Sequence, residues 1–348
     1  MKQQLKKTLL ITTVLGAFFF AFFALIACDT DTDIDENGYG NGNGNGNDVA
    51  QQVFRIGAIQ PIEHPALDDA FRGFVDELAA HGYIEGENLE IDFQNAQGDA
   101  STMSTITDRF VAQNKDLVMS LGTGATQTMK AKSDTIPILG SAITSFTVAE
   151  LVESNEVPGG NVTGTSDMVP VIEQVDLMLA LLPDIQTVGF IFNSGEANSV
   201  ENIRLIREEV VSRGLEYREV TVANANEVQQ ALTSLARDVD VIYTPTDNTI
   251  AAAMGMVGQI SLETGVPVIP GATTMVEEGG LATAGVNYYE LGRITGLMAI
   301  DLLHGADPAT MPVRVMTEDS IIVINGTVAE ALGITIPDNL LDYVITTD

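Results

Sequence analysis

Basic residues are scarce in this chain. Its 348 residues carry 16 Lys and Arg against 48 Asp and Glu, a formal net charge of −32. Phosphate backbones and anionic lipid surfaces are recognised by clustered Lys and Arg, so this balance excludes a nucleic-acid partner and docking on a membrane through a basic face. A single Cys excludes a disulfide framework and a Cys-built zinc site. The three histidines, His64, His81 and His304, are too few for a His-built metal centre, and no cofactor is expected. Trp is absent and aromatics make up 6% of the chain, which excludes a stacking platform for single strands. What is plentiful is apolar material, 45% of residues, enough for the cores of two domains at this length.

Catalytic signatures are missing as well. Gly122-x-Gly124 is too short for a phosphate loop, and no Gly-x-Ser-x-Gly elbow occurs. Glu63 beside His64 lacks a nucleophile or second His, so the pair is expected to hydrogen-bond at a cleft mouth rather than to catalyse. The expectation is therefore a protein that is not an enzyme.

The first 27 residues read as an address. Lys2, Lys6 and Lys7 precede an apolar run from Leu9 to Ala27, a charged start followed by a hydrophobic core, as in a secretory signal. The run is also long enough to span a bilayer, so a retained anchor is the alternative. Leu25-Ile26-Ala27-Cys28 resembles a bacterial lipobox, in which the Cys is acylated and becomes the first residue. Residues 28–51 follow, with an acidic run and alternating Gly and Asn. Such composition has no apolar surface to bury and reads as a flexible tether. A module held at the outer face of a membrane by lipid on Cys28 is expected.

From Val53 the pattern changes to short apolar runs alternating with helical periodicity. Val53–Gln60 reads as a buried strand, and Leu67, Ala70, Phe71, Phe74, Val75 and Leu78 mark one face of a helix closed by Gly82. Strand and helix continue to alternate, which implies parallel sheets covered on both faces. A constant offset of 132 sets Gly57 over Gly189, Phe71 over Ile203, Phe74 over Ile206 and Gly82 over Gly214. The fold class read from this is α/β, two doubly wound parallel-sheet lobes joined by a multi-strand hinge. The first lobe is assigned residues 52–162 plus 285–315, and the second 163–284 plus 316–346. A helix is expected over 247–263.

Ligands of open parallel sheets bind beyond the carboxyl ends of the strands. The loops there are Gln60 to His64, Gly122 to Thr126 and Ser141 to Thr144 in one lobe, and Asn193 to Ser199 and Thr246 to Thr249 in the other. Thr123 to Thr126 open a helix and either cap it or hold an anion such as a carboxylate. Asp247 either caps the following helix or pairs an ammonium. Together they suit a zwitterion.

Glu63-His64-Pro65-Ala66-Leu67-Asp68, Asn95-Ala96-Gln97-Gly98-Asp99, Pro158-Gly159-Gly160-Asn161-Val162-Thr163-Gly164, Asn193 to Ser199, Pro245-Thr246-Asp247-Asn248-Thr249 and Tyr288-Tyr289-Glu290-Leu291-Gly292-Arg293 resemble one family. It is the ABC-transporter substrate-binding proteins related to the tryptophan and aromatic amino-acid binding lipoproteins, and the resemblance covers about residues 53–345. It implies a type I periplasmic-binding-protein fold, capture of an aromatic amino acid, and delivery to a membrane permease by a monomer. It implies that Thr123, Ala125, Ser141 and Thr144 hold the carboxylate and Asp247 the ammonium, with Asn198, Ser199 and Asn287 lining the cleft. Glu63 and Gly124 belong to the same loops. A lipoprotein that senses rather than feeds a permease, or a binder of a nucleoside or sugar, are the competing functions.

Overall fold

The computed structural model describes residues 52–316 and 320–347; the signal, Cys28 and the tether lie outside the described residues. Among the described residues no helix is long and apolar enough to cross a membrane.

The chain begins with β1 (Phe54–Gln60), α1 (Pro65–Ala80), β2 (Leu89–Asn95), α2 (Ala100–Ala112), β3 (Leu117–Leu121), α3 (Thr123–Lys130), β4 (Ile138–Ser141) and β5 (Val162–Ser166). These strands form a parallel sheet in the order β5-β4-β3-β1-β2. A second run follows, with α4 (Val171–Leu181), β6 (Thr187–Asn193), α5 (Ala197–Ser212), β7 (Glu216–Val222), α6 (Ala225–Leu235), β8 (Val241–Thr244), α7 (Asn248–Ala251), α8 (Met254–Thr264) and β9 (Val268–Pro270). Its strands are parallel in the order β7-β6-β8-β9, which repeats β2-β1-β3-β4. Then come α9 (Thr273–Glu277), β10 (Ala282–Gly285), α10 (Tyr288–Leu303), β11 (Arg314–Val315), β12 (Ile321–Asn325), α11 (Gly326–Ala331), a 3-10 helix (Asp338–Tyr343) and β13 (Val344–Ile345). β10, β12 and β13 form a separate three-stranded sheet beside β9, tied to it by Leu281 N–H, which donates to Val268 O at 2.7 Å. β11 returns to pair β5 in the first. The chain thus changes sheets after Ser166, between Gly285 and Tyr288, and between Val315 and Ile321.

The repeat read from the sequence has a packing cause. Gly57 and Gly189 sit in the two central strands, β1 and β6. A Cβ on Gly57 would lie 2.8 Å from the Phe110 ring, and one on Gly189 3.0 Å from Leu235. Phe110 and Leu235 come from α2 and α6, the corresponding helices of the two runs. In each lobe the missing side chain lets a large apolar residue of the covering helix seat against the sheet. Phe110 is fully buried, a gain of about 2–3 kcal/mol.

Two boundaries differ from the sequence reading. Val162–Ser166 pairs β4, so the first crossing falls after Ser166 rather than at 162, and Thr163, Thr165 and Ser166 belong to the first sheet. The helix expected over 247–263 is two, α7 and α8, interrupted at Ala252 and Ala253. No breaker residue marks that interruption.

Candidate functional site

The carboxyl ends of β1, β4, β6, β8 and β9 converge on one cleft between the lobes. Its wall comprises His64, Ala66 and Leu67 at the start of α1, Ala142 and Thr144 after β4, and Asp167 and Tyr288 at two sheet-to-sheet crossings. The second lobe contributes Asn198, Thr246, Asp247, Asn248, Ala251, Ala272 and Met275. The lobes touch directly here. His64 Nε2 lies 3.1 Å from Asn248 Oδ1, and the hydroxyls of Thr144 and Thr246 are 3.3 Å apart.

Two buried carboxylates dominate the cleft. Asp167 is 4% exposed and accepts from Thr144 Oγ1 (3.3 Å) and the Tyr288 hydroxyl (2.9 Å). Asn202 Nδ2 donates to Thr246 Oγ1 at 2.6 Å. Because the Thr144 proton is committed to Asp167, Thr246 donates to Thr144, and a relay of hydrogen bonds runs from the second lobe to the hinge acid. Asp247 is 1% exposed. Its Oδ2 accepts from Asn193 N–H at 2.6 Å and its Oδ1 from Ile250 N–H at 2.8 Å, which caps α7 and ties it to the end of β6. Burial, and next the charge of Glu196, push its carboxyl up to about 7. Burial also raises Asp167. No lysine or arginine is among the residues that line the cleft.

Glu196 stands beside Asp247 but is well satisfied. It accepts from Asn248 N–H (3.0 Å), Asn248 Nδ2 (2.6 Å), Thr249 N–H (3.0 Å) and Thr249 Oγ1 (2.8 Å). His64 is 7% exposed, and its Nδ1 is buried without a hydrogen-bond partner. Burial lowers its pKa against the opposing pull of Asn248 and Glu196.

Of the residues singled out in the sequence, Thr144, Asn198 and Asp247 line the cleft together. Ser199 lies just behind, fully buried, with its hydroxyl bonded to Asp247. Thr123 is buried with its hydroxyl unpartnered, one residue from Gly122, where a Cβ would lie 3.7 Å from Asn248 Oδ1. Ser141 turns inward, its hydroxyl 3.0 Å from that of Thr295 on α10. Ala125 is packed in the first lobe's core with Ile59 and Phe110, Gly124 is exposed, and Glu63 is exposed while its neighbour His64 faces the cleft. Asn287 is exposed and caps α10, accepting from Glu290 N–H at 3.0 Å, so it does not line the cleft. Sequence reasoning missed Asp167 and Tyr288, and it placed Thr246 and Asn248 in a loop at the cleft without giving either a role. Asp167 gave a faint signal, a lone acid ending the polar run Thr163-Gly164-Thr165-Ser166.

Comparison with known proteins gives a consistent picture. The family model of ABC transporter substrate binding proteins matches residues 55–347. A tyrosine-binding protein of Clostridioides difficile is 37% identical over 268 residues, 77% of this chain and 78% of that protein. The structure of an ABC domain in complex with L-Trp from Streptococcus pneumonia superimposes with a TM-score of 0.82 at 37% identity, covering 85% of this chain and all of the other. The ligand-free, open structure of a substrate-binding protein with adhesive properties from Clostridium difficile gives 0.65 at 38% identity, with the same coverage. With two parallel α/β lobes, three crossings between them and a cleft at the strand ends, the chain has the type I periplasmic-binding-protein fold and belongs to the ABC transporter substrate-binding protein family.

Proposed function

We propose that this chain is the capture subunit of an ABC importer, held outside the cell membrane by lipid on Cys28, and that its cargo is a free aromatic amino acid. The observation that carries the reading is the pair of buried carboxylates, Asp167 and Asp247, in a cleft wall without lysine or arginine. A buried anion needs a compensating charge, and a ligand ammonium supplies it. The remaining wall suits the rest of such a ligand. Ala66, Leu67, Ala251, Ala272 and Met275 offer apolar surface to a ring. Beside that wall, the unpartnered Thr123 hydroxyl and the first-turn N–H groups of α3 suit a carboxylate. Relatives of similar identity are a tyrosine binder and an L-Trp complex.

The mechanism is closure. The ligand touches both lobes, so it favours the closed arrangement by its differential affinity for it. The closed surface is what the permease reads. The monomer makes and breaks no bond, and the tether of residues 28–51 lets it reach the permease from its lipid. Calorimetry with tyrosine, tryptophan, phenylalanine, leucine, a nucleoside and a hexose tests the cargo. Micromolar or tighter binding of the aromatic amino acids is expected. Binding of the nucleoside or the hexose with none of the amino acids would refute it.

A further inference from the structure

The amide of Asn248 has one orientation. Its Nδ2 lies 2.6 Å from Glu196 Oε2, and an ionised carboxylate accepts but does not donate, so the amide nitrogen faces Glu196 and the carbonyl faces the first lobe. Asn248 Oδ1 therefore accepts from His64 Nε2 at 3.1 Å. The proton of the imidazole is then on Nε2, and Nδ1 carries a lone pair. Burial holds the His64 pKa below its ordinary value, which keeps the ring neutral near neutral pH. Nδ1 is a buried acceptor with no donor among the described residues. Such an atom calls for a donor from elsewhere.

Each part of an aromatic amino acid can be asked whether it answers that need. The ligand carboxylate only accepts. The ammonium donates, but Asp167 and Asp247 offer it charge-assisted hydrogen bonds, about twice as strong as one to a neutral nitrogen. What remains is a donor on the ring. His64 lies at the entry of α1, two and three residues before Ala66 and Leu67, which form the apolar side of the cleft.

Resting on the aromatic amino-acid reading, we propose that His64 Nδ1 accepts a hydrogen bond from the ligand's side-chain ring, a phenol O–H or an indole N–H, and so selects tyrosine and tryptophan over phenylalanine. Asn248 and Glu196 are positioning residues that set the tautomer. A site built to pair a ligand donor rejects the analogue that lacks it, because the buried acceptor is then left bare.

The test is calorimetry on the full chain with tyrosine, phenylalanine, tryptophan and 1-methyltryptophan, for the wild type and His64→Phe. In the wild type, tyrosine should bind at least about tenfold more tightly than phenylalanine, and tryptophan at least about tenfold more tightly than its 1-methyl derivative. In His64→Phe, tyrosine and tryptophan should weaken by about tenfold or more while phenylalanine changes less than about threefold. A variant that merely disturbs the loop would weaken all ligands alike, and that result overturns the proposal. So does a wild type that binds phenylalanine as tightly as tyrosine, a comparison that stands even where the variant does not fold. Binding of all three aromatic amino acids without this discrimination leaves the cargo reading intact and removes the role of His64. Binding of none of them removes both.

Discussion

The two cleft acids differ in what holds them, and this separates the effects of their removal. Asp247 accepts two backbone N–H groups, whereas Asp167 accepts two hydroxyls that can turn away. Asp167→Asn should weaken an amino-acid ligand by about tenfold or more with little change in the melting temperature. Asp247→Asn should weaken binding and also leave a buried N–H without an acceptor, a stability cost of about 1–3 kcal/mol. Calorimetry and urea unfolding of the two variants check this. The acidity of Asp247 sets a pH dependence. Its carboxyl is raised from 3.8 to about 7, so between these values the folded state holds a proton that the unfolded chain has lost. Stability from this group is full below the lower value and falls as pH rises to the higher one. The fall in urea midpoint between about pH 4 and pH 7 should be smaller in Asp247→Asn than in the wild type. The place of Asp247, Thr144 and Asn198 in the cleft wall was legible in the sequence, since each sits at a strand end. Glu63 and Asn287 were not distinguishable from their neighbours His64 and Tyr288, because a strand-to-helix loop gives no sequence period that tells which side chain faces in.

Elements were legible where apolar spacing was regular, as for α1, whose stripe from Leu67 to Leu78 faces the core. β5 was invisible for a physical reason. Its strand Val162–Ser166 is fully buried, yet three of its five side chains are hydroxyls. They are satisfied by tertiary partners: Thr163 Oγ1 donates to Met311 O at 2.7 Å, and Ser166 Oγ donates to Thr144 O at 3.0 Å. Such a strand has no hydrophobic signature. α4 buries Gln174, Val175, Leu177, Met178 and Leu181 at helical spacing, but the apolar Ile172 and Ala180 on its exposed face blur that stripe. The pairing of α1 with α10 was equally hidden, since it depends on close approach. A Cβ on Gly292 would lie 2.0 Å from Ala70 O, and one on Gly73 2.1 Å from Tyr289 O. Gly292→Ala must push the helices apart. It should cost about 1–3 kcal/mol or more, read as a lower urea midpoint.

At the scale of the molecule, two relatives of nearly equal identity match this chain differently, 0.82 for the L-Trp complex and 0.65 for the ligand-free, open structure. The direct hydrogen bonds across the cleft agree with a closed arrangement. Closure brings like charges together. α1 packs on α9 from the other lobe, and Glu277 there is raised by burial and then by Asp69 of α1. This acidic seam opposes closure until a ligand supplies its own contacts. Glu277→Gln should therefore tighten binding several-fold at low salt, and the difference should vanish near about 1 M salt, where charges are screened within about 3 Å. Calorimetry at two ionic strengths checks it.

The most direct test of the whole account uses the absence of tryptophan from the chain. Excited on the red edge of indole absorption, added L-tryptophan reports its own environment against a background free of protein indole. The account predicts a saturable blue shift of its emission with a dissociation constant of about a micromolar or less, displaced by L-tyrosine. Emission that stays that of indole in water at every protein concentration would contradict it.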